Sequence, residues 1–273
     1  MVYNSHRIPS HYKYTGLPST WRARQVEVSQ QPDQNTPLPI VPETLGRLPP
    51  HALLLALDAD GLPVFLYLRD PRPGPILIAG DSGSGKTAFL QTLLRVSTHC
   101  NSPGSLQFAV LTSHPQEWEH FQNIEHIMGI WSTGNPQADL VLQNLAWPQQ
   151  NHPPSILLFD GLDSILHMAT ETQESFRTLL MHGPAARIWP IVTVNAAQAI
   201  KLPQWLAYFR TRIYGQIGNA QMSQVLTPLP GAPLQTLAAG FQFCIREKSR
   251  WLLLRLPIMP AQTSNPWANS LLL

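Results

Sequence analysis

The chain of 273 residues is poor in charge, in cysteine and in long apolar runs. Only 12% of its residues are Asp, Glu, Lys or Arg, about half the usual share. Its two cysteines, Cys100 and Cys244, exclude a disulfide framework and fit a reducing compartment. No stretch reaches the roughly 18 apolar residues that cross a bilayer. The opening MVYNSHRIPS has no apolar run behind its charges, so no signal peptide is expected. These absences predict a soluble, cytoplasmic chain without a membrane segment. Metal-ligating patterns are also scarce. His114 and His120 are six apart, not at the i, i+4 spacing of a helical zinc pair. His99-Cys100 has no second cysteine nearby. Nothing resembles a nucleophile motif for Ser-His-Asp chemistry.

Apolar residues make up 44% of the chain, enough for a sizeable core, and the 27 prolines are abundant. Charge is unevenly spread. Residues 1–24 hold four basic residues and no acid, residues 25–176 five basic and fifteen acidic, and residues 177–273 nine basic and one acidic. A basic C-terminal third fits a polyanion such as double-stranded DNA. It equally fits a solvated surface balanced by the acidic middle.

Residues 1–50 are rich in Pro, Ser, Gln and His and lack periodicity. They read as an extended or disordered tail unless docked. Tyr3, Tyr12, Tyr14 and Trp21 within it suit packing on a neighbour or stacking on nucleic acid. From residue 51, two apolar runs flank Asp58-Ala59-Asp60-Gly61, a hairpin signal. Short apolar strands follow at 76–79, 106–112, 155–159 and 189–195. Helical patterns lie at 87–97, near 115–122, 137–146 and 171–182, and SILHMAT reads as a further helix. A terminal hairpin is expected around Glu247-Lys248. This alternation predicts one α/β domain over 51–258 with a mostly parallel sheet flanked by helices, and a C-terminal tail over 259–273.

Gly80-Asp81-Ser82-Gly83-Ser84-Gly85-Lys86-Thr87 fits G-x-x-x-x-G-K-[ST] in full. Such a loop brings backbone N–H groups to phosphate oxygens, ahead of a positive helix N-terminus. Lys86 would reach the β- and γ-phosphates of ATP, and the Thr87 hydroxyl would ligate Mg²⁺. Asp160 closes the apolar run LLFD. It suits the water shell of that Mg²⁺, or a helix N-cap.

These motifs, in order, resemble FtsK-type DNA translocases of the wider FtsK/HerA group of P-loop ATPases. LDADGLPVFLYL is similar to the family's strand pair before its P-loop. In AVLTSHPQEWEHFQNIEHI, the residues Glu117, Phe121, Ile124 and His126 fit a family segment. TRIYGQI and GAPLQTLAAGFQF resemble two later family stretches. The resemblance implies ATP sites at the boundaries of a ring, a homo-oligomer and by family habit a hexamer, with DNA through its centre.

Departures fall on the hydrolysis groups. Gly161 stands where the family has a glutamate, and Thr112-Ser113-His114 replaces its Asp-Pro-Lys. Asn195 takes the place of a glutamine that senses the γ-phosphate. Pro184 falls on the arginine-finger position, with Arg187 three residues later. Asp163 is a candidate substitute base, or a helix cap. Arg187, Arg210 and Arg212 are candidate fingers, and the latter two are candidate DNA contacts. Two functions stay open: a DNA-translocating ATPase with weakened hydrolysis, and an ATP-binding switch or assembly subunit acting through a protein partner.

Overall fold

The computed structural model describes residues 38–39, 51–147, 152–227, 229 and 231–258. Except for Leu38–Pro39, the expected tails of residues 1–50 and 259–273 lie outside the described residues. Twelve strands occur among them. A two-residue pair joins β1 (Leu38–Pro39) in parallel to β12 (Pro257–Ile258). The other ten form one sheet in the order β3-β2-β11-β10-β9-β4-β8-β7-β5-β6. Their ranges are β2 Ala52–Asp58, β3 Pro63–Tyr67, β4 Ile76–Gly80, β5 Gln107–Thr112, β6 Ile127–Ser132, β7 Ser155–Asp160, β8 Ile188–Asn195, β9 Thr211–Tyr214, β10 Gln242–Glu247 and β11 Arg250–Arg255. From β9 to β6 every pairing is parallel, and from β9 to β3 every pairing is antiparallel.

Helices cover both faces, so the central strands are buried on both sides and read as unbroken apolar runs. On one side α1 (Lys86–Cys100) buries Phe89, Leu90, Leu93 and Leu94. These pack with Ile76 and Ile78 of β4. The alternate residues Leu77 and Ala79 face the other cluster. That cluster includes Leu142 of α2 (Pro136–Ala146) and Phe176 and Leu179 of α3 (Thr170–His182). Three shorter helices follow: α4 (Ala196–Ala199), α5 (Pro203–Leu206) and α6 (Ala220–Leu226).

Both expected hairpins form. Asp58 Oδ1 accepts the N–H groups of Asp60 (2.9 Å) and Leu62 (2.8 Å), which folds the β2–β3 turn. The β10–β11 hairpin turns at Lys248. The segment expected near 115–122 is a 3₁₀ helix, Pro115–Phe121. SILHMAT is not an α-helix either: Leu162–His167 form a 3₁₀ turn. No described helix is long and apolar enough to cross a membrane.

Candidate nucleotide site

The loop from Gly80 to Thr87 leaves the end of β4 and runs directly into α1. Its backbone is clamped from the C-terminal third of the chain. Asp81 N donates to Gln216 O (2.9 Å), Gly218 N to Asp81 Oδ2 (2.8 Å) and Gly240 N to Ser84 O (3.1 Å). Gly85 has φ 94°, and a Cβ there would lie 2.4 Å from Gly240 O. Only glycine tolerates both the left-handed backbone and that approach.

Lys86 Nζ folds back onto the loop, donating to Gly80 O (3.1 Å) and Asp81 O (2.7 Å). Burial pulls its ammonium below the usual lysine range, opposed by the carboxylates of Asp160, Asp81 and Asp163. Phosphate oxygens are stronger acceptors for this cation than the two carbonyls.

Thr87 Oγ1 donates to Asp160 Oδ2 at 2.8 Å. Thr193 Oγ1, on β8, donates to Asp160 Oδ1 (2.6 Å) and accepts the N–H of Gly161 (2.8 Å). A hydroxyl at the head of α1 and a carboxylate at the end of β7 therefore meet in an open cleft of about 420 Å³. That donor pair fits a Mg²⁺ that takes its remaining ligands from phosphate and water. No group of three or more His, Cys, Asp or Glu suited to a metal occurs among the described residues. Such an ion would thus arrive with the nucleotide.

The same cleft is lined by Asp163 and Asn195. Asn195 closes β8 directly beside Gly80. Its Oδ1 accepts from Ala197 N (3.0 Å), capping α4. Asp163 caps nothing: the residue before the 3₁₀ turn is Gly161, and no side chain caps it. Gly161 has φ 103°, and a Cβ there would meet only Asp163 Oδ1 at 3.8 Å and Ser113 Oγ at 3.9 Å. A carboxylate from two residues further on therefore borders the space a side chain at 161 would fill.

The candidate arginines lie elsewhere. Arg187 immediately precedes β8, about 26 Å from Asn195 along an eight-residue strand. Pro184, in the turn before it, is buried. Neither meets the phosphate loop of its own chain. Arg210 is exposed, its stem beside Gly74. Arg212, the other candidate DNA contact, is engaged within its own chain. It is half-buried, and its guanidinium donates to Leu206 O (2.7 Å) and Phe209 O (3.2 Å), tying down the end of α5.

Four further polar cleft residues escaped the sequence reading as site members: Ser113, His114, Glu117 and Thr193. Strand order is the signal that would have found them. β5 lies beside β7 with Thr112 opposite Asp160, so the residues after Thr112 must emerge next to Gly161. Ser113 Oγ and His114 Nδ1 are 2.9 Å apart there.

No protein-family model matches the chain, and no curated protein does. Solved structures do. The cytoplasmic domain of EssC superposes with a TM-score of 0.62 at 17% identity, over 84% of this chain and 48% of that one. The cytoplasmic domain of the Thermomonospora curvata Type VII secretion ATPase EccC gives 0.57 at 16%, over 82% and 28%. The pCW3 conjugation coupling protein TcpA, solved with ATPγS, gives 0.61 at 12%, over 81% and 69%. The chain thus has the α/β fold of P-loop ATPases. It spans about half of EssC's cytoplasmic domain and less of EccC's.

Proposed function

We propose that this chain is an ATP-binding P-loop subunit of FtsK type that holds Mg-ATP firmly and hydrolyses it slowly. The observation that carries the reading is the meeting of Thr87 and Asp160 at 2.8 Å beside a complete phosphate loop. The loop's N–H groups and Lys86 bind the phosphates, with Gly80, Asp81, Ser82, Gly83, Ser84 and Gly85 forming the cradle. Thr87 and Asp160 would hold a Mg²⁺, which would neutralise charge building on the phosphates. Asn195, which lines the same cleft, would sense the γ-phosphate by its amide.

Water activation is the weak step. Gly161 offers no carboxylate, and Asp163 is the nearest acid to the space left open. Its arm is one methylene shorter than that of a glutamate, and a misplacement of about 1 Å can lower a rate 10²-fold. Arg187 can act as a finger only in trans, on a neighbouring copy, which agrees with a ring of identical subunits.

The cargo is double-stranded DNA in the first reading, supported by the basic C-terminal third, by exposed Arg210 and by fold likeness to a conjugation coupling protein. A second reading is an ATP-dependent switch or assembly subunit with a protein partner. Gly161 and buried Pro184 favour it, as does the likeness to a secretion ATPase. ATP turnover measured with and without DNA separates the two. Stimulation by DNA supports the motor, and a low rate indifferent to DNA supports the switch.

A further inference from the structure

At the far end of β7 and β8 from the phosphate loop lies a second cleft, of about 440 Å³. Its floor is apolar: Leu68, Pro154 and Pro184, all buried. Among the described residues its polar groups are His51, Arg69 and Arg187, and no carboxylate lines it. We propose that this cleft is a seat for a phosphoryl-type oxyanion.

Three observations converge on it. First, the cations are aimed rather than scattered. Arg69 Nη2 lies 2.8 Å from His51 Nε2. A guanidinium only donates, so the imidazole accepts there and its proton sits on Nδ1. The contact fixes Arg69 against a neutral ring. Second, no described acid compensates the positive field. Burial, then Arg69, then Arg187 hold the imidazole below the usual histidine range, and no acid opposes them. The acid next in sequence, Asp70, is gripped through both oxygens by Arg72. Third, the backbone is strained at this place. Among the described residues, non-glycine positive φ occurs at His51 (63°), Arg187 (65°) and Lys248 (51°). Two of the three line this cleft. Their carbonyls accept from Leu68 N and Ser155 N, both at 2.9 Å, which keeps them in place. Strained residues held by their surroundings gather where a ligand is bound. Two arginines lining a cleft with an apolar floor, with no counter-charge among the described residues, match an oxyanion in charge and in hydrogen-bond donors.

The phosphoryl group reaches the seat free in solution. The probe is inorganic pyrophosphate, titrated at low ionic strength into the full chain carrying Lys86→Ala, which weakens the phosphate loop. One site is expected to remain. Adding Arg69→Gln or Arg187→Gln should weaken it about tenfold or more, since each removes a charge-assisted bond. Arg187→Gly, which suits φ 65° and preserves the fold, should do the same, while Lys201→Gln should change nothing. A free source gives binding independent of protein concentration. ATP-dependent self-association of the wild-type chain that Arg69→Gln abolishes, without pyrophosphate binding, would overturn the proposal. Pyrophosphate affinity that survives both arginine changes would overturn it too.

Discussion

Gly161 decides the chemistry of this site at the scale of one residue. The space above it is open, so a glutamate side chain would fit. Its backbone, at φ 103°, resists one. A non-glycine residue in that region costs about 1–2 kcal/mol. The family resemblance by itself implies that Gly161→Glu should raise turnover if the rest of the site is family-like. The geometry instead predicts a destabilised protein, with a midpoint of unfolding lowered accordingly and little gain in turnover. Asp163 is the sharper test. Asp163→Asn removes the acid beside the vacant position without removing any cap, so the unfolding midpoint should hold while residual ATP turnover falls by about 10²-fold. Unchanged turnover would mean that Glu117 or His114, or a neighbouring subunit, activates the water. The cysteines are silent at this scale. Burial pushes the Cys100 thiol up to about 11 and the Cys244 thiol up to about 12. Both should resist thiol reagents at pH 8 in the folded protein and react on unfolding.

At the scale of elements, the phosphate loop is held in shape by segments far away in sequence. Residues 216–218 and 240 clamp it by two backbone contacts and one to the Asp81 carboxylate. Gly85→Ala should therefore behave differently from a change to a phosphate ligand. Its methyl would press on Gly240 O and its φ would be strained. Stability and ATP affinity should fall together, the former by more than about 1 kcal/mol. Loss of affinity with an unchanged unfolding midpoint would place the clamp's effect elsewhere. Much of this architecture was legible in advance because apolar strands alternated with periodic helices around a loop of fixed spacing. Ile76–Gly80, Gln107–Thr112, Ser155–Asp160 and Ile188–Asn195 fall within one or two residues of their expected ranges. β6 was not legible. Ile-Met-Gly-Ile-Trp-Ser is an edge strand, mostly half-buried, with a glycine in its middle and no alternation to mark a face. The phosphate loop and Asp160 could be read directly from their motifs. Ser113, His114, Glu117 and Thr193 could not, because their place depends on which strands become neighbours.

Over the whole molecule, charge separates into an acidic middle and a basic C-terminal third, but not every basic residue is free to meet a polyanion. Arg210 is exposed, and Arg212 is committed to Leu206 O and Phe209 O. If DNA lies on this surface, Arg210→Glu should weaken binding without sequence preference and make it less steep in salt, leaving the fold intact. Arg212→Glu should instead lower stability by about 1–3 kcal/mol, as buried carbonyls lose their donors. Equal effects of the two changes on DNA binding, with neither destabilising, would contradict this division of roles.

The central claim is that the cleft between Lys86, Thr87 and Asp160 is a nucleotide seat. Calorimetric titration of Mg-ATP into the wild-type chain and into Lys86→Ala tests it most directly. The wild type should bind one nucleotide per chain. The variant, with its unfolding midpoint unchanged because Lys86 contacts only the loop's own carbonyls, should bind at least about tenfold more weakly, as a charge-assisted partner of the phosphates is lost. Equal affinities in the two proteins, or no binding by the wild type, would contradict the account.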